Sequence, residues 1–334
     1  MRRWWVAASL ALLAGARAAS PDAPPVTDWS TVPEVVVVDA SAQGPAMWHI
    51  KKGDSEIWIL GTVGLMPEKL AWNTRRLEAA IDGADAVFLP PEAHAGFLDF
   101  VGMSWFILMH RDALSMPGDQ KLEASLPPAL RARFVAAREQ IGKKADRYDD
   151  DSPLLAGFKL FADYVDANKL TGRLPEQAAE KIARAKHVKV QRIAEYSAVP
   201  LVKEMLKLPP EAGRVCFENG LGDVETLGRH AVPAADAWAV GDIAGIKAHY
   251  STPLFAGCVS QSHKFGEINS RAVEDTLKVV HAALGKPGKT VMLVNIGWLF
   301  RATGVADRLR GEGVVIEGPG DQASPIRDRG AEQK

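Results

Sequence analysis

The 334-residue chain reads as an α/β protein whose central, mostly parallel sheet is built from its N- and C-terminal segments, with a large helical insertion between them. Three observations predict this. Residues 46–51 and 56–62 are apolar-biased runs split by Lys52-Gly53-Asp54-Ser55, which is the chemistry of a hairpin turn. Residues 73–83 carry Leu77, Ala80 and Ile81 at helical spacing and are followed by the short apolar run 86–89. Strand, helix and strand in that order begin a parallel sheet. At the other end, strand 291–295, helix 303–310 and strand 313–317 repeat the alternation.

Between these ends the pattern is mostly helical, with apolar spacings of three and four over residues 129–141, 152–167, 176–185, 199–206 and 271–284. Asp149-Asp150-Asp151 stands just before Ser152-Pro153, where acids suit the exposed amides of a helix N-terminus. The spacing of an EF-hand loop is absent there, which leaves calcium a weak reading beside a solvated turn. No internal repeat of solenoid period occurs.

Arg2 and Arg3 precede an apolar stretch over residues 4–14, and Ala16-Arg17-Ala18 completes the pattern of a secretory signal peptide cut after Ala18. The apolar stretch falls short of the roughly 20 residues that span a bilayer. An uncleaved N-terminal anchor is the alternative. The expected location is periplasmic or secreted. Residues 19–43, rich in Pro, Ala, Ser and Asp, read as a flexible leader with one short apolar run at Val35 to Val38. The Gly-, Pro-, Asp- and Arg-rich residues 319–334 read as a disordered tail.

Removing the leader peptide takes three of the 40 basic residues and none of the 41 acidic ones, for a formal charge of −4. No basic face is implied, so a nucleic-acid partner is not expected. No later apolar run approaches membrane-spanning length. Cys216 and Cys258 are the only cysteines, and in an exported chain such a pair favours one disulfide over two separate buried thiols. The bridge would close a loop of about 43 residues and contribute about 4 kcal/mol through chain entropy.

Two segments carry the chemistry. The first runs from Met47 to Gly64 and contains Trp48-x-Ile50-x-x-Gly53-Asp54-Ser55 and Gly61-Thr62-Val63-Gly64; the second contains Asn295-Ile296-Gly297-Trp298-Leu299. With Ala237-Trp238-Ala239-Val240-Gly241-Asp242 and Leu309-Arg310-x-x-Gly313-Val314-Val315, this order resembles the TraB/GumN family, in scattered motifs over residues 45–318. The resemblance implies an α/β fold related to proposed metal-dependent peptidases and esterases. Family members place histidines in Gly-Thr-x-His after the first strand pair and in Gly-x-Gly-His-Leu after the late strand. Here Gly64 and Trp298 hold those positions. Glycine has no side chain, and indole only donates.

The family's acid would fall near Pro90-Pro91, so Glu92 is displaced by about two positions, with His94 beside it. This loop follows a strand end, where α/β sheets place ligands. Glu92 and His94 are therefore the first choices for a metal site, against a solvent-exposed polar loop. The resemblance also sets a polar Arg-Asn pair near the site, to which Glu267, Asn269 and Arg271 correspond with the order of Asn and Arg reversed. Asp242 reads as a helix N-cap. The remaining histidines are scattered singly. No Gly-x-Ser-x-Gly elbow, phosphate loop or Gly-x-Gly-x-x-Gly is present, and Cys216 has no evident base.

The leading expectation is an exported protein with a degenerate hydrolase site that works as a binding or scaffolding module. Gly61, Gly64, Trp298 and Asp242 would frame a site for a peptide or small molecule, and no cofactor is expected. The alternative is a metal-dependent peptidase or esterase that holds Zn²⁺, Mn²⁺ or Co²⁺ through Glu92 and His94, with a further acid from Glu267 or Asp242. A third reading, implied by proposed haem binders of related fold, is a haem-like small-molecule carrier with His94 or Met66 as axial ligand.

Overall fold

The computed structural model describes residues 44–94, 106–250 and 263–319. The signal peptide, the leader with its Val35 to Val38 run, Cys258 and the tail beyond residue 319 lie outside the described residues.

The predicted hairpin forms β1 (Met47–Lys52) and β2 (Ser55–Thr62), joined through Gly53 at φ 58. That backbone conformation is one that glycine adopts without penalty. β3 (Met66–Pro67) follows, then α1 (Arg75–Ile81), β4 (Ala86–Leu89) and β5 (Glu92–His94). The insertion supplies α2 (Leu122–Ser125), α3 (Pro128–Gln140), α4 (Pro153–Ala167), β6 (Leu170–Thr171), α5 (Leu174–Ala185), β7 (Lys189–Arg192) and β8 (Glu195–Ser197). It continues with α6 (Val199–Met205), α7 (Pro210–Val240), α8 (Ile243–His249) and α9 (His263–Leu284). β9 (Gly288–Asn295), α10 (Ile296–Phe300) and α11 (Val305–Gly311) close the fold.

The five-stranded sheet has the order β1-β2-β9-β4-β7, antiparallel only between β1 and β2. β9, last in sequence, is central. It runs parallel to β2 from Ser55↔Gly288 to Thr62↔Asn295 and parallel to β4 on its other side. Val291, Met292, Leu293 and Val294 are fully buried, as expected of a parallel strand covered on both faces. The sheet is thus built mainly from the two ends of the domain, as the sequence predicts, but its edge strand β7 comes from inside the insertion. Residues 189–192, Lys-Val-Gln-Arg, give no apolar run, because an edge strand of four residues needs little core. The predicted strand 313–317 shrinks to one antiparallel bridge, His49↔Glu317, and Val315 is exposed.

Two cores result. One surrounds the sheet and includes Trp48, Trp238 and Phe300; the other lies among the helices of the insertion and includes Phe134, Tyr148, Leu160, Phe217 and Leu221. The 31-residue α7 spans both. Its glycines and Pro233 argue locally against one long helix, but the glycines serve packing. A Cβ on Gly220 of α7 would stand 3.2 Å from the Gly157 carbonyl oxygen, and one on Gly157 of α4 would come within 2.9 Å of the Phe217 Cα, so the two helices meet backbone to backbone. Ser152 caps α4, its Oγ accepting from the Leu155 amide at 3.3 Å. The acids before it form ion pairs, Asp150 with Lys121 and Asp151 with Lys159.

Cys216 is fully buried on α7, and Cys258, the disulfide partner expected for it, lies outside the described residues.

Candidate functional site

β2, β9 and β4 are parallel, so their carboxyl ends lie on one side of the sheet. There a cavity of about 390 Å³ opens. Thr62, Val63, Gly64 and Leu65 line it after β2, Pro90 and Pro91 after β4, and Asn295 and Trp298 after β9. Helices of the insertion close the other walls, with Phe161 from α4, Glu176 from α5, Asp223, Thr226, Leu227, Ala231 and Ala234 from α7, and His249 and Tyr250 at the end of α8.

Asn295 ends β9 and caps α10, its Oδ1 accepting from the Gly297 amide at 2.9 Å. The same oxygen accepts from the Tyr250 hydroxyl at 3.0 Å. Gly297 is needed there, since a Cβ would stand 2.3 Å from that hydroxyl oxygen. Burial pushes the Tyr250 phenol up to about 12, its bond to Asn295 partly opposing the shift. Tyr250 is thus a neutral donor at the foot of the cavity.

The two positions singled out by the resemblance do meet here. Gly64 is exposed at the cavity, and an added Cβ would have no atom within 4 Å, so open space stands where a side chain would project. Trp298 is half-buried in α10, just after the neighbouring strand β9. Gly61 lies beneath, fully packed: a Cβ would come within 2.6 Å of the Trp48 ring, and its carbonyl accepts from the Trp238 indole at 2.7 Å. Asp242 is a cap, as its sequence context predicts, accepting from the Gly245 amide at 2.9 Å.

Glu92 and His94 go elsewhere. They lie on β5, which pairs with β8 in a separate two-stranded sheet. Glu92 meets Arg192 at 3.0 Å, and His94 is exposed. Arg192 also binds Glu176 at 3.1 Å and the Pro90 carbonyl at 2.8 Å, so it ties the β4 turn to the cavity wall. Glu267 and Arg271 are exposed on α9, with the Arg271 guanidinium 5.0 Å from the centre of the Tyr196 ring. The side chain of Asn269 lies outside the described residues. Glu92, His94, Glu267 and Arg271 are not among the described residues that line the cavity. Met66 is fully buried in the core.

A metal at the strand ends does not fit this donor set. Gly64 offers no ligand atom, the Trp298 indole only donates, and Pro90-Pro91 occupies the place of the acid. Among the described residues no group of three or more His, Cys, Asp or Glu side chains is arranged to hold a metal ion. Among them, too, no helix is long and apolar enough to cross a membrane.

Sequence reasoning missed Glu176, Asp223, His249, Tyr250 and Asn295. Four of the five belong to the insertion, and each is locally unremarked. Only Asn295, a capping residue directly after a buried strand, carried a usable signal.

A family model described as the TraB/PrgY/gumN family matches residues 46–318. No curated protein and no solved structure matches the chain. The matched span covers the whole sheet and the insertion, and includes both glycine turns at the mouth of the cavity. The chain belongs to the TraB/PrgY/gumN family.

Proposed function

We propose that the protein is a binding module that takes an amine-bearing small molecule or peptide in the cavity at the carboxyl end of the sheet, and that it does not run the metal-dependent hydrolysis associated with its fold. One observation carries this reading: the cavity is built, but the turns that frame it present Gly64 and Trp298 instead of metal-binding side chains. Among the described lining residues Glu176 and Asp223 are the acids and none is lysine or arginine, although Glu176 is paired with Arg192 in the wall behind it. Their carboxylates suit an ammonium group or N–H donors. Trp298, Phe161 and Leu227 supply apolar wall for the rest of a ligand. The signal-peptide pattern supports action outside the cytoplasm.

The test is a thermal-shift and hydrolysis screen of amine-bearing peptides and metabolites on the full chain and on Gly64→Trp. A Cβ at Gly64 would meet no atom within 4 Å, so the new side chain starts into open space at the cavity. A bound ligand at a hundredfold excess over its Kd should stabilise the protein by about 2.7 kcal/mol. The expected result is a saturable, uncleaved ligand lost in Gly64→Trp, whose own unfolding midpoint is unchanged. Turnover of an ester or amide by the parent chain that disappears in Gly64→Trp would overturn the reading, as would ligand binding that Gly64→Trp leaves intact.

A further inference from the structure

We propose that a groove at the amino end of the parallel strands, the end away from the cavity described above, is a second binding site and takes a small organic anion: a carboxylate head held by Lys189 and Lys286, with an apolar body lying against Phe88. The groove has a volume of about 480 Å³. Its floor follows from the strand register. Ala86 stands beside Lys189 and Thr290, and Phe88 beside Gln191. Side chains two apart on a strand share a face, so all five look to the same side of β4, β7 and β9. α9 covers that side, but it packs chiefly on β2 and β9 and leaves the faces of β4 and the edge strand β7 open beside it. Val279 and the small side chains of Ala282 and Ala283 form the helix wall, and Lys286 and Pro287 extend it into the turn before β9.

The charge of the groove selects its ligand. Lys189, Lys278, Lys286 and Asp85 are the charged residues that line it. Asp85 is already committed: its carboxylate accepts from the Lys289 amide at 2.9 Å, in room that Gly288 leaves by lacking a Cβ. Lys278 is committed too, to Asp275 at 2.8 Å. Lys189 and Lys286 are exposed and form no ion pair among the described residues. Two ammonium groups, one from the sheet and one from the turn, are thus left to donate to the oxygens of an anion. Phe88 is half-buried in the floor between the two elements that carry them, and with Val279 and Pro287 it offers apolar surface that a bare inorganic ion would not use. The chemistry is opposite in sign to that of the first cavity, so the two ends of the sheet would take different ligands.

The experiment is a calorimetric titration of the full chain with 4-phenylbutyrate, with the neutral 4-phenylbutan-1-ol and with inorganic phosphate. One phenylbutyrate per chain is expected, bound at least about tenfold more tightly than either the alcohol or phosphate and weakened by added salt. Affinity should fall at least about tenfold when Lys189→Gln and Lys286→Gln are combined, and also in Ala282→Phe, which fills the groove without changing its charge. It should be unchanged in Gly64→Trp. All three groove positions are exposed, and the comparison of the acid with its alcohol tests the role of charge on the unsubstituted protein. The proposal is overturned by the absence of saturable phenylbutyrate binding, by equal binding of the alcohol or of phosphate, by binding that survives both the paired lysine substitutions and Ala282→Phe, or by loss in Gly64→Trp. The probe carries no amine, so this result stands apart from the success or failure of the ligand screen at the first cavity.

Discussion

The Trp238 indole donates to the Gly61 carbonyl at 2.7 Å, across 177 residues of sequence. The bond ties α7 to the end of β2, immediately before the turn that carries Gly64. Trp238 also packs against Trp72, with ring centroids 5.0 Å apart. The shape of the cavity mouth therefore depends on a helix of the insertion as well as on the sheet. Trp238→Phe keeps the ring but removes the buried donor, and should cost about 1–3 kcal/mol in urea unfolding. Gly61→Ala drives a Cβ into the Trp48 ring and should cost about 1–3 kcal/mol by overpacking.

Arg192 serves two carboxylates and one carbonyl, and the three contacts are unequal. Glu92 is partly exposed, and its loss leaves Arg192 bound to Glu176 and Pro90. Glu92→Ala should therefore change stability by no more than about 1 kcal/mol. Arg192→Ala strands the well-buried Glu176 and frees the β4 turn, and should cost about 2–3 kcal/mol. Chemical denaturation of both variants checks the ranking; equal costs would show that Arg192 does not hold the cavity wall.

The crossing of α4 and α7 at Gly157 makes an unusual prediction for a glycine within a helix. Alanine there would gain about 1 kcal/mol of helix propensity. Its Cβ would nonetheless stand 2.9 Å from the Phe217 Cα, which is backbone and cannot rotate away. Gly157→Ala should be destabilising by about 1–3 kcal/mol. A stabilised variant, seen as a raised denaturation midpoint, would show that the helices separate at no cost.

Alkaline pH should weaken the fold. Burial raises the phenols of Tyr148, Tyr196 and Tyr250 above the ordinary value near 10, Tyr250 to about 12, and hydrogen bonds to Asp163 and Asp275 add to the shift at Tyr148 and Tyr196. A raised pKa means that the folded state holds its proton where the unfolded chain has lost it. The stabilisation is complete below pH 10 and is lost as pH rises through the folded values. Unfolding free energy followed against pH should fall across that window, with a shallower slope in Tyr250→Phe. At low pH the sign reverses for Asp163. Burial pulls its pKa up, but bonds from Arg147 and Tyr148 outweigh burial and hold it below the ordinary value, so its stabilisation is lost as pH falls through the folded pKa.

Local patterning determined the hairpin, α1, β4, β9 and the capped starts of α4 and α8, because each is specified by neighbours a few residues apart: a Gly-Asp turn, apolar residues at spacings of three and four, a Ser or Asp before a helix. The positions of Gly64 and Trp298 at paired strand ends were legible too, since both follow buried strands whose run of apolar residues is unbroken. Tertiary structure alone decided the rest. β7 joins the sheet on the strength of its pairing with β4 rather than its own apolar content. Glu92 and His94 leave the expected loop because β5 finds a partner in β8, about a hundred residues away. His230 and His249, each isolated along the chain, face each other only because Gly241 turns α7 back into α8, and no periodicity within either helix encodes which face of one will meet the other.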